Sequence, residues 1–299
     1  MKLFLLLVLV ALLGSCIKEI DKVPAFEGPK LVVNSLINPD SMVRVNVSLS
    51  GSNAQGAQFL NDVNVQLFED GQLIGVLSYD TLGWYQSNFY PAIGKLYKLV
   101  VNSSAYGSVT AQTRIPALPL ELTGIYYKAS ALPIQINGPV AFYDTETEVQ
   151  FKDAADEANY YEVGENRFLY EQTQEKDPSI LMDGDLSYNP LTYYFSDFLF
   201  DGANKHLVLR KGGEVSLMQG VEVPIEQYPL RFRSCSSAYY QFRKSWTKHL
   251  YNQTLGQNLD DPIQLLFFGD PVVMFSNVQG GYGVFAGYNE TIISVQYVP

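Results

Sequence analysis

Apolar and polar positions alternate along most of the chain beyond residue 30. Val43, Val45, Val47 and Leu49 take turns with Arg44, Asn46 and Ser48, and this period of two predicts a half-buried strand. Leu31-Val32-Val33 opens the series. Ser50 to Asn61 is small and polar and predicts a loop. Val63, Val65 and Leu67 alternate again before a turn at Glu69-Asp70-Gly71, and Leu73 to Tyr79 predicts the return strand. Gly83-Trp84-Tyr85 begins another, and Gly94 precedes Tyr97, Leu99 and Val101. Short strands punctuated by Gly, Asp and Asn predict an antiparallel sandwich over residues 30–117. Trp84 and Tyr85 read as packing residues in it, ahead of a ligand platform. Ile115-Pro116-Ala117-Leu118-Pro119 holds two prolines in five residues, which breaks any ladder and sets the domain boundary.

The remainder, 118–299, predicts a second β domain. Val149 and Phe151 end one strand, and Tyr160 to Tyr170 predicts another with Tyr161, Val163, Phe168 and Tyr170 turned inward. Further strands are expected at His206–Arg210, Val215–Met218, Arg231–Arg233 and Ile293–Tyr297. Paired aromatics such as Tyr160-Tyr161 and Tyr193-Tyr194 put one ring on each face of a sheet. One helix is expected near 236–254, where Tyr239, Phe242, Trp246 and Leu250 recur at three- and four-residue steps. Ser236 or Ser237 can cap it, and Gly256 follows its end. The fold class is thus mainly β: an N-terminal antiparallel β-sandwich, then a second antiparallel β-sandwich or partly closed barrel carrying one amphipathic helix. Near the end, Ser276 to Gly287 is dense in glycine, which permits tight reversals and close backbone approach. No Lys-Ser/Thr pair follows, so it is no phosphate loop.

The leader changes the picture from shape to place. Lys2 precedes an unbroken apolar run from Leu3 to Leu13, too short to span a bilayer core of roughly 30 Å as a helix. It ends Leu13-Gly14-Ser15-Cys16, which resembles a bacterial lipobox, with Cys16 as the lipidated residue. Residues 1–15 are then a lipoprotein signal peptide, and 16–29 the lipidated Cys and a tether that holds the folded part off the bilayer. Lys18-Glu19 and Asp21 resemble the export signal of surface lipoproteins in Bacteroidetes-type bacteria. With Cys16 used, Cys235 is alone, which excludes an internal disulfide and predicts a buried, inert thiol.

Charge narrows the partners. The chain carries a net −11 with 21 Tyr and 17 Phe among 299 residues, a balance that argues against nucleic acid. Residues 144–185 hold thirteen acids against three basic residues. Asp177, Asp183 and Asp185 are the candidate metal ligands there, but the EF-hand pattern is missing and solvated turns are the preferred reading, so no metal or other cofactor is expected. Arg231, Arg233, Arg243, Lys244 and Lys248 form a run with no acid between residues 231 and 248. They are the candidate binding surface, for an anionic partner or for the acidic segment of the same chain. A solvated helix face is the plainer account. Only His206 and His249 offer imidazoles, and no G-x-S-x-G, H-E-x-x-H or C-x-x-C occurs.

Two resemblances complete the reading. "VNVQLFEDG" with "GWYQSNFYPAIGKLYKLVV" resembles the immunoglobulin-like or carboxypeptidase-regulatory-like β-domains of secreted bacterial proteins. The lipobox, "KLVVNSLI", "FSDFLFDG", "YYQFRKSW" and "PVVMFSNVQGGYGVFAGY", in that order, resemble a Bacteroidetes outer-membrane lipoprotein family of unknown function, DUF4249. Where that family has Asn-Ile-Glu before its glycines, this chain has Asn277-Val278-Gln279. The resemblance implies a lipid-anchored protein of the outer membrane set beside a TonB-dependent receptor, and it supplies no catalytic residues; Lys18-Glu19 and Asp21 favour the cell-surface face, with the periplasmic face as the alternative. The expectation is a non-enzymatic accessory or binding component of nutrient transport. A surface hydrolase working through carboxylates, or a structural or adhesive protein, are the alternatives.

Overall fold

The computed structural model describes residues 28–298 apart from 52–57, 129–130, 134, 139, 166–186, 190–191, 219–220, 225–229 and 255–272. The first half contributes β1 (Leu31–Ile37), β2 (Arg44–Leu49), β3 (Gln58–Phe59), β4 (Asn64–Glu69), β5 (Gln72–Tyr79), β6 (Trp84–Gln86), β7 (Leu96–Ser103) and β8 (Gly107–Arg114). The second contributes β9 (Leu120–Lys128), β10 (Gln135–Asn137), β11 (Val140–Lys152), β12 (Tyr160–Glu165), β13 (Ser187–Asn189), β14 (Thr192–Ser196), β15 (Asn204–Met218), β16 (Val221–Pro224) and β17 (Leu230–Cys235). Helix α1 (Ser237–Thr254), β18 (Tyr282–Ile293) and β19 (Gln296–Val298) close the chain. The protein is mainly β, as the alternation predicts.

The first half is a sandwich. Leu31, Val33, Val45 and Val47 meet Val65, Leu67, Leu99 and Val101 in one core, and Phe285 from the far end of the chain joins them. Burying each such aliphatic side chain contributes about 1.5–3 kcal/mol. Tyr85 lies inside this core while Trp84 sits half-buried on the outer face with the Arg44 guanidinium 5.0 Å from its ring. Alternation along β6 thus separates two aromatics that are neighbours in sequence.

Strand β18 ties the halves together. Its first part, Tyr282 to Gly287, pairs in parallel with β1, and its second part, Tyr288 to Ile293, pairs antiparallel with β17. The result is a thirteen-stranded sheet in the order β13-β14-β12-β17-β18-β1-β2-β6-β5-β4-β7-β8, with β3 beside β2. The boundary expected at residues 117–118 is therefore bridged by hydrogen bonds on β18. The glycine-rich run becomes strand from Tyr282 onward and makes the close backbone approach expected of it. Gly283 shows why glycine is needed there: it has φ of +113°, and a Cβ would sit 2.0 Å from the Val33 carbonyl oxygen. Only glycine allows that approach and that angle.

In the second half a six-stranded sheet, β16-β15-β11-β9-β19 with β10 on β11, faces the β12, β14, β17 and β18 end of the large sheet. Between them lie Val149, Phe151, Tyr161, Val163, Tyr193, Phe195, Leu207, Phe232 and Ile293. Phe151 is the hub, with ring centroids 5.0 Å from Tyr161 and 5.2 Å from Phe232. Helix α1 covers the outer face. Ser236 caps it by accepting the Tyr239 N–H at 3.3 Å, and the same oxygen accepts the Gly287 N–H, which fastens the helix start to β18. Tyr160 and Tyr194 are the outward rings of their pairs, and both pack on Tyr240 of the helix.

Candidate functional site

Two turns between strands make the most organised group of polar side chains at the surface. The turn after β11 carries Asp153, Asp156 and Asn159. The turn after β14 reads Asp197-Phe198-Leu199-Phe200-Asp201-Gly202. Asp197 Oδ2 accepts the Asn159 N–H at 2.7 Å, Asp153 Oδ2 the Gly202 N–H at 2.9 Å, and Asp201 Oδ1 the Asp156 N–H at 3.1 Å. Asp153 Oδ1 also accepts the Tyr161 hydroxyl. Each carboxylate therefore crosses from one turn to the other. Gly202, at φ +69°, abuts Ala155, where a Cβ would come within 2.7 Å of another Cβ.

Oxygen atoms of Asp153, Asp197 and Asp201 all lie within 4.8 Å of one another. Three hard oxygen donors at that spacing are the ligand type for calcium or magnesium. The crowding has an electrostatic signature: burial pushes the Asp197 carboxyl above its ordinary value, and the charges of Asp153 and Asp201 add to this against the Asn159 N–H, which lowers it.

What this braced turn presents is apolar. Phe200 turns inward against the second core, with Lys205 Nζ 5.0 Å from its ring. Phe198 and Leu199 point out and are 84% and 73% exposed. Two large apolar side chains are thus exposed on a tip whose ends are held by the buried Asp153 and Asp197 and the exposed Asp201.

The second group lies beneath α1. Tyr194, Glu162, Arg233 and Glu290 form one row across β14, β12, β17 and β18. Glu162 is almost wholly buried. Arg233 Nε meets Glu290 Oε2 at 2.6 Å, its Nη1 lies 3.5 Å from Glu162 Oε1, and Arg243 Nη2 reaches the same oxygen at 3.7 Å. The Tyr239 hydroxyl accepts from Arg233 Nη1 at 2.8 Å and donates to Glu162 Oε2. Desolvation, the largest influence on Arg233, acts to lower its pKa, but Tyr239, Glu162 and Glu290 together reverse it and the guanidinium is held charged. Cys235 beside this layer is buried and its thiol is pushed well up, chiefly by burial, the inert cysteine that its isolation predicts.

The five cations singled out in the sequence are thus divided. Arg233 and Arg243 point to Glu162, so an acid of the 144–185 segment and not solvent receives them. Arg231 is half-buried on β17. Lys244 and Lys248 are exposed, the first with its ammonium 5.1 Å from the Tyr240 ring. The helical stripe is rotated accordingly: Tyr239 and Tyr240 are buried, while Trp246 is exposed on the rim. His206 Nδ1 contacts Glu148 Oε1 at 2.6 Å on the outer face of the six-stranded sheet. Cys16, Phe168, Tyr170 and the metal candidates Asp177, Asp183 and Asp185 lie outside the described residues. The group Asp153, Asp197 and Asp201 was not anticipated. Its one sequence signal is the Asp-x-x-x-Asp-Gly spacing inside "FSDFLFDG".

No described helix is long and apolar enough to cross a membrane, which says nothing of membrane β-barrels. The family described as "Domain of unknown function (DUF4249)" matches residues 17–294. No curated protein matches the chain. Among solved structures the chain is similar to one described as "Putative membrane anchored protein from Corynebacterium diphtheriae", at 9% identity and a TM-score of 0.22. That match covers 70% of this chain and 55% of the other.

Proposed function

Starting from the fact that this chain belongs to the DUF4249 family, we propose that it is a non-enzymatic accessory lipoprotein of the outer membrane, tethered through Cys16, that docks on a TonB-dependent transporter. The observation that carries the reading is the Phe198-Leu199 tip, exposed and braced by Asp153, Asp197 and Asp201. A rigid apolar tip loses little conformational entropy on docking, which favours its use as an anchor in an interface. The lipobox and the thirteen-residue stretch Ile17–Pro29 support the anchoring. The carboxylate-hydrolase alternative draws less support. Asp153, Asp197, Glu162 and Glu290 already serve turns and ion pairs, and Glu146 and Glu148 accept from Tyr127 and Gln150.

The experiment is affinity isolation of the lipidated protein from solubilised outer membrane, in the natural form and as Phe198→Ser/Leu199→Ser. The expected result is a stoichiometric TonB-dependent receptor with the natural form and its loss with the variant, at unchanged thermal stability. A receptor recovered equally with both would remove the tip from the interface. No receptor enriched over a Cys16→Ala control would overturn the transporter reading.

A further inference from the structure

A different surface surrounds the point where the chain enters the fold. Lys30 and Ser50 exchange hydrogen bonds, Lys30 N–H to Ser50 Oγ and Ser50 N–H to the Lys30 carbonyl, both at 2.9 Å. Beside them runs one row of the large sheet: Phe59 on β3, Ser48 on β2, Val32 on β1 and Tyr282 on β18. Residues paired this way share a face, and strands lie about 4.8 Å apart, so Phe59 and Tyr282 stand on one shelf. Leu82 joins them through the turn at Gly83, where an added Cβ would lie 3.1 Å from Phe59 Cβ and Cδ1. Tyr106 tops the β7–β8 turn, and β8 is stitched to the stretch before Tyr282 by Thr110 and Gln279, which exchange backbone hydrogen bonds at 2.8 and 3.2 Å. Phe59, Leu82, Tyr106 and Tyr282 are each between 38% and 64% exposed.

The charge pattern at this pole departs from the rest of the protein. Residues 102–110 and 276–283 contain no Asp, Glu, Lys, Arg or His, in a chain of net charge −11. Lys30 stands over this shelf, its ammonium 5.4 Å from the Tyr282 ring centroid, while the nearest described acids are Asp62, three residues beyond Phe59, and Asp80, which is paired with Arg44 at 3.3 Å. Aromatic rings, a leucine, uncharged polar turns and a lysine beside a tyrosine ring are the residue set of a membrane–water interface. The absence of acids from the segments that carry Tyr106 and Tyr282 reduces the repulsion that an acidic protein meets at an anionic headgroup layer.

We infer that this pole rests in the headgroup layer of the bilayer, so that the protein lies on the membrane instead of being held away from it. The inference rests on the lipidation of Cys16 proposed above. The twelve residues Ile17–Gly28 span at most about 40 Å, and they end at this pole, so it is the part of the fold brought first to the lipid surface. One acyl anchor binds a membrane reversibly, and a second, interfacial contact makes the attachment firm.

The test compares two exposed leucines at opposite ends of β5: Leu82 beyond its end, at the pole, and Leu73 near its start, away from it. Leu82→Cys and Leu73→Cys are each labelled with an environment-sensitive dye. The full lipidated protein is reconstituted into phosphatidylcholine vesicles containing lipids brominated close to the headgroup. The expected result is that both proteins float with the vesicles, while only the Leu82→Cys dye shifts to the blue and loses intensity to the brominated lipid. Adding Tyr106→Asp and Tyr282→Asp to Leu82→Cys should abolish that quenching without detaching the protein. Flotation with both dyes equally unquenched overturns the pole contact and leaves the anchor standing. Failure to float overturns the anchor and the pole contact together. A Leu82→Cys dye shielded in native outer-membrane fragments but not in pure lipid means the pole meets a protein, which also overturns the proposal.

Discussion

The two groups of acids in the second half satisfy their carboxylates by opposite means. Under α1, Glu162 is flanked by Arg233 and Arg243, and Glu290 is met by Arg233. Charge is matched by charge. In the turns, Asp153, Asp197 and Asp201 face backbone N–H groups and one tyrosine hydroxyl, and no cation contact is found for them among the described residues. Dipoles are asked to stabilise three like charges. The first arrangement fixes a helix on a sheet. The second holds a turn open so that Phe198 and Leu199 stay in solvent. The difference teaches that the ion-paired layer belongs to the stability of the fold, whereas the acid cluster accepts electrostatic crowding for the sake of a surface.

Breaking the paired layer should give the largest effect. Glu162→Ala leaves two guanidinium groups facing a buried gap, and removal of one partner from a buried ion pair costs about 3–5 kcal/mol. Urea unfolding should show the midpoint fall with an unchanged slope. Replacing the pair with apolar groups, Glu162→Leu with Arg233→Met, should recover most of that loss, because Glu290 and Arg243 reach solvent and no buried charge is left alone. A double variant as unstable as Glu162→Ala would mean that the layer stabilises by more than charge matching.

These two groups were unequally legible in the sequence. Alternation located nearly every strand of the first sandwich, and the Tyr239–Trp246 spacing located α1, because both signals are local. The rotation of α1 was not local: Arg243 lies off the apolar stripe, and only the placement of Glu162 on the opposite strand brings it inward. The parallel pairing of β1 with β18 joins residues about 250 apart, for which a single chain carries no periodic signal. Its trace was the glycine run, whose need appears only once Gly283 is seen against the Val33 carbonyl. Asp153 and Asp197 are 44 residues apart, on turns that meet because β11 and β14 end at the same side of the second sandwich. The acids that look clustered in sequence, Asp177, Asp183 and Asp185, stand between those turns along the chain.

Within the acid cluster, Asp153→Asn should have an intermediate effect. One amide oxygen can still accept from Tyr161, but the amide nitrogen then confronts the Gly202 N–H, and an unmatched buried donor costs about 1–3 kcal/mol. Thermal unfolding measures the loss. If the cluster only holds the tip, receptor recovery should fall in parallel, because Phe198 and Leu199 would no longer be fixed.

Asp197 reverses the usual pH behaviour of a buried acid. Its pKa is raised by burial and by its two acidic neighbours, so the folded state binds the proton more tightly than the unfolded chain does. Its contribution to stability is complete below the unfolded value near 3.8 and is lost as pH rises through the folded value. Asp197→Asn keeps an oxygen for the Asn159 N–H and removes the titration. Its stability relative to the natural protein should therefore improve as pH rises from 4 toward neutrality. Guanidinium unfolding at several pH values between these limits would detect it, and a variant that grows relatively weaker with rising pH would show that Asp197 is stabilised as a carboxylate.

The smallest effect expected is that of calcium, and it bears most directly on what the acid cluster is for. A cation between Asp153, Asp197 and Asp201 would supply the compensation that Arg233 supplies under α1 and would erase the contrast between the two groups. The hydrogen bonds argue for the brace: at least one oxygen of each carboxylate already accepts an N–H from the opposite turn, and both oxygens of Asp153 are engaged. Turning those oxygens toward a metal would release Gly202, Asn159 and Asp156. The melting temperature of the natural protein should thus be the same in millimolar calcium and in chelator, and Asp201→Asn should differ from it by no more than about 0.5 kcal/mol, as for an exposed residue. An upward shift with calcium that disappears in Asp201→Asn would make the turn a cation-dependent tip, since a ligand bound only by the folded state stabilises in proportion to the logarithm of its concentration.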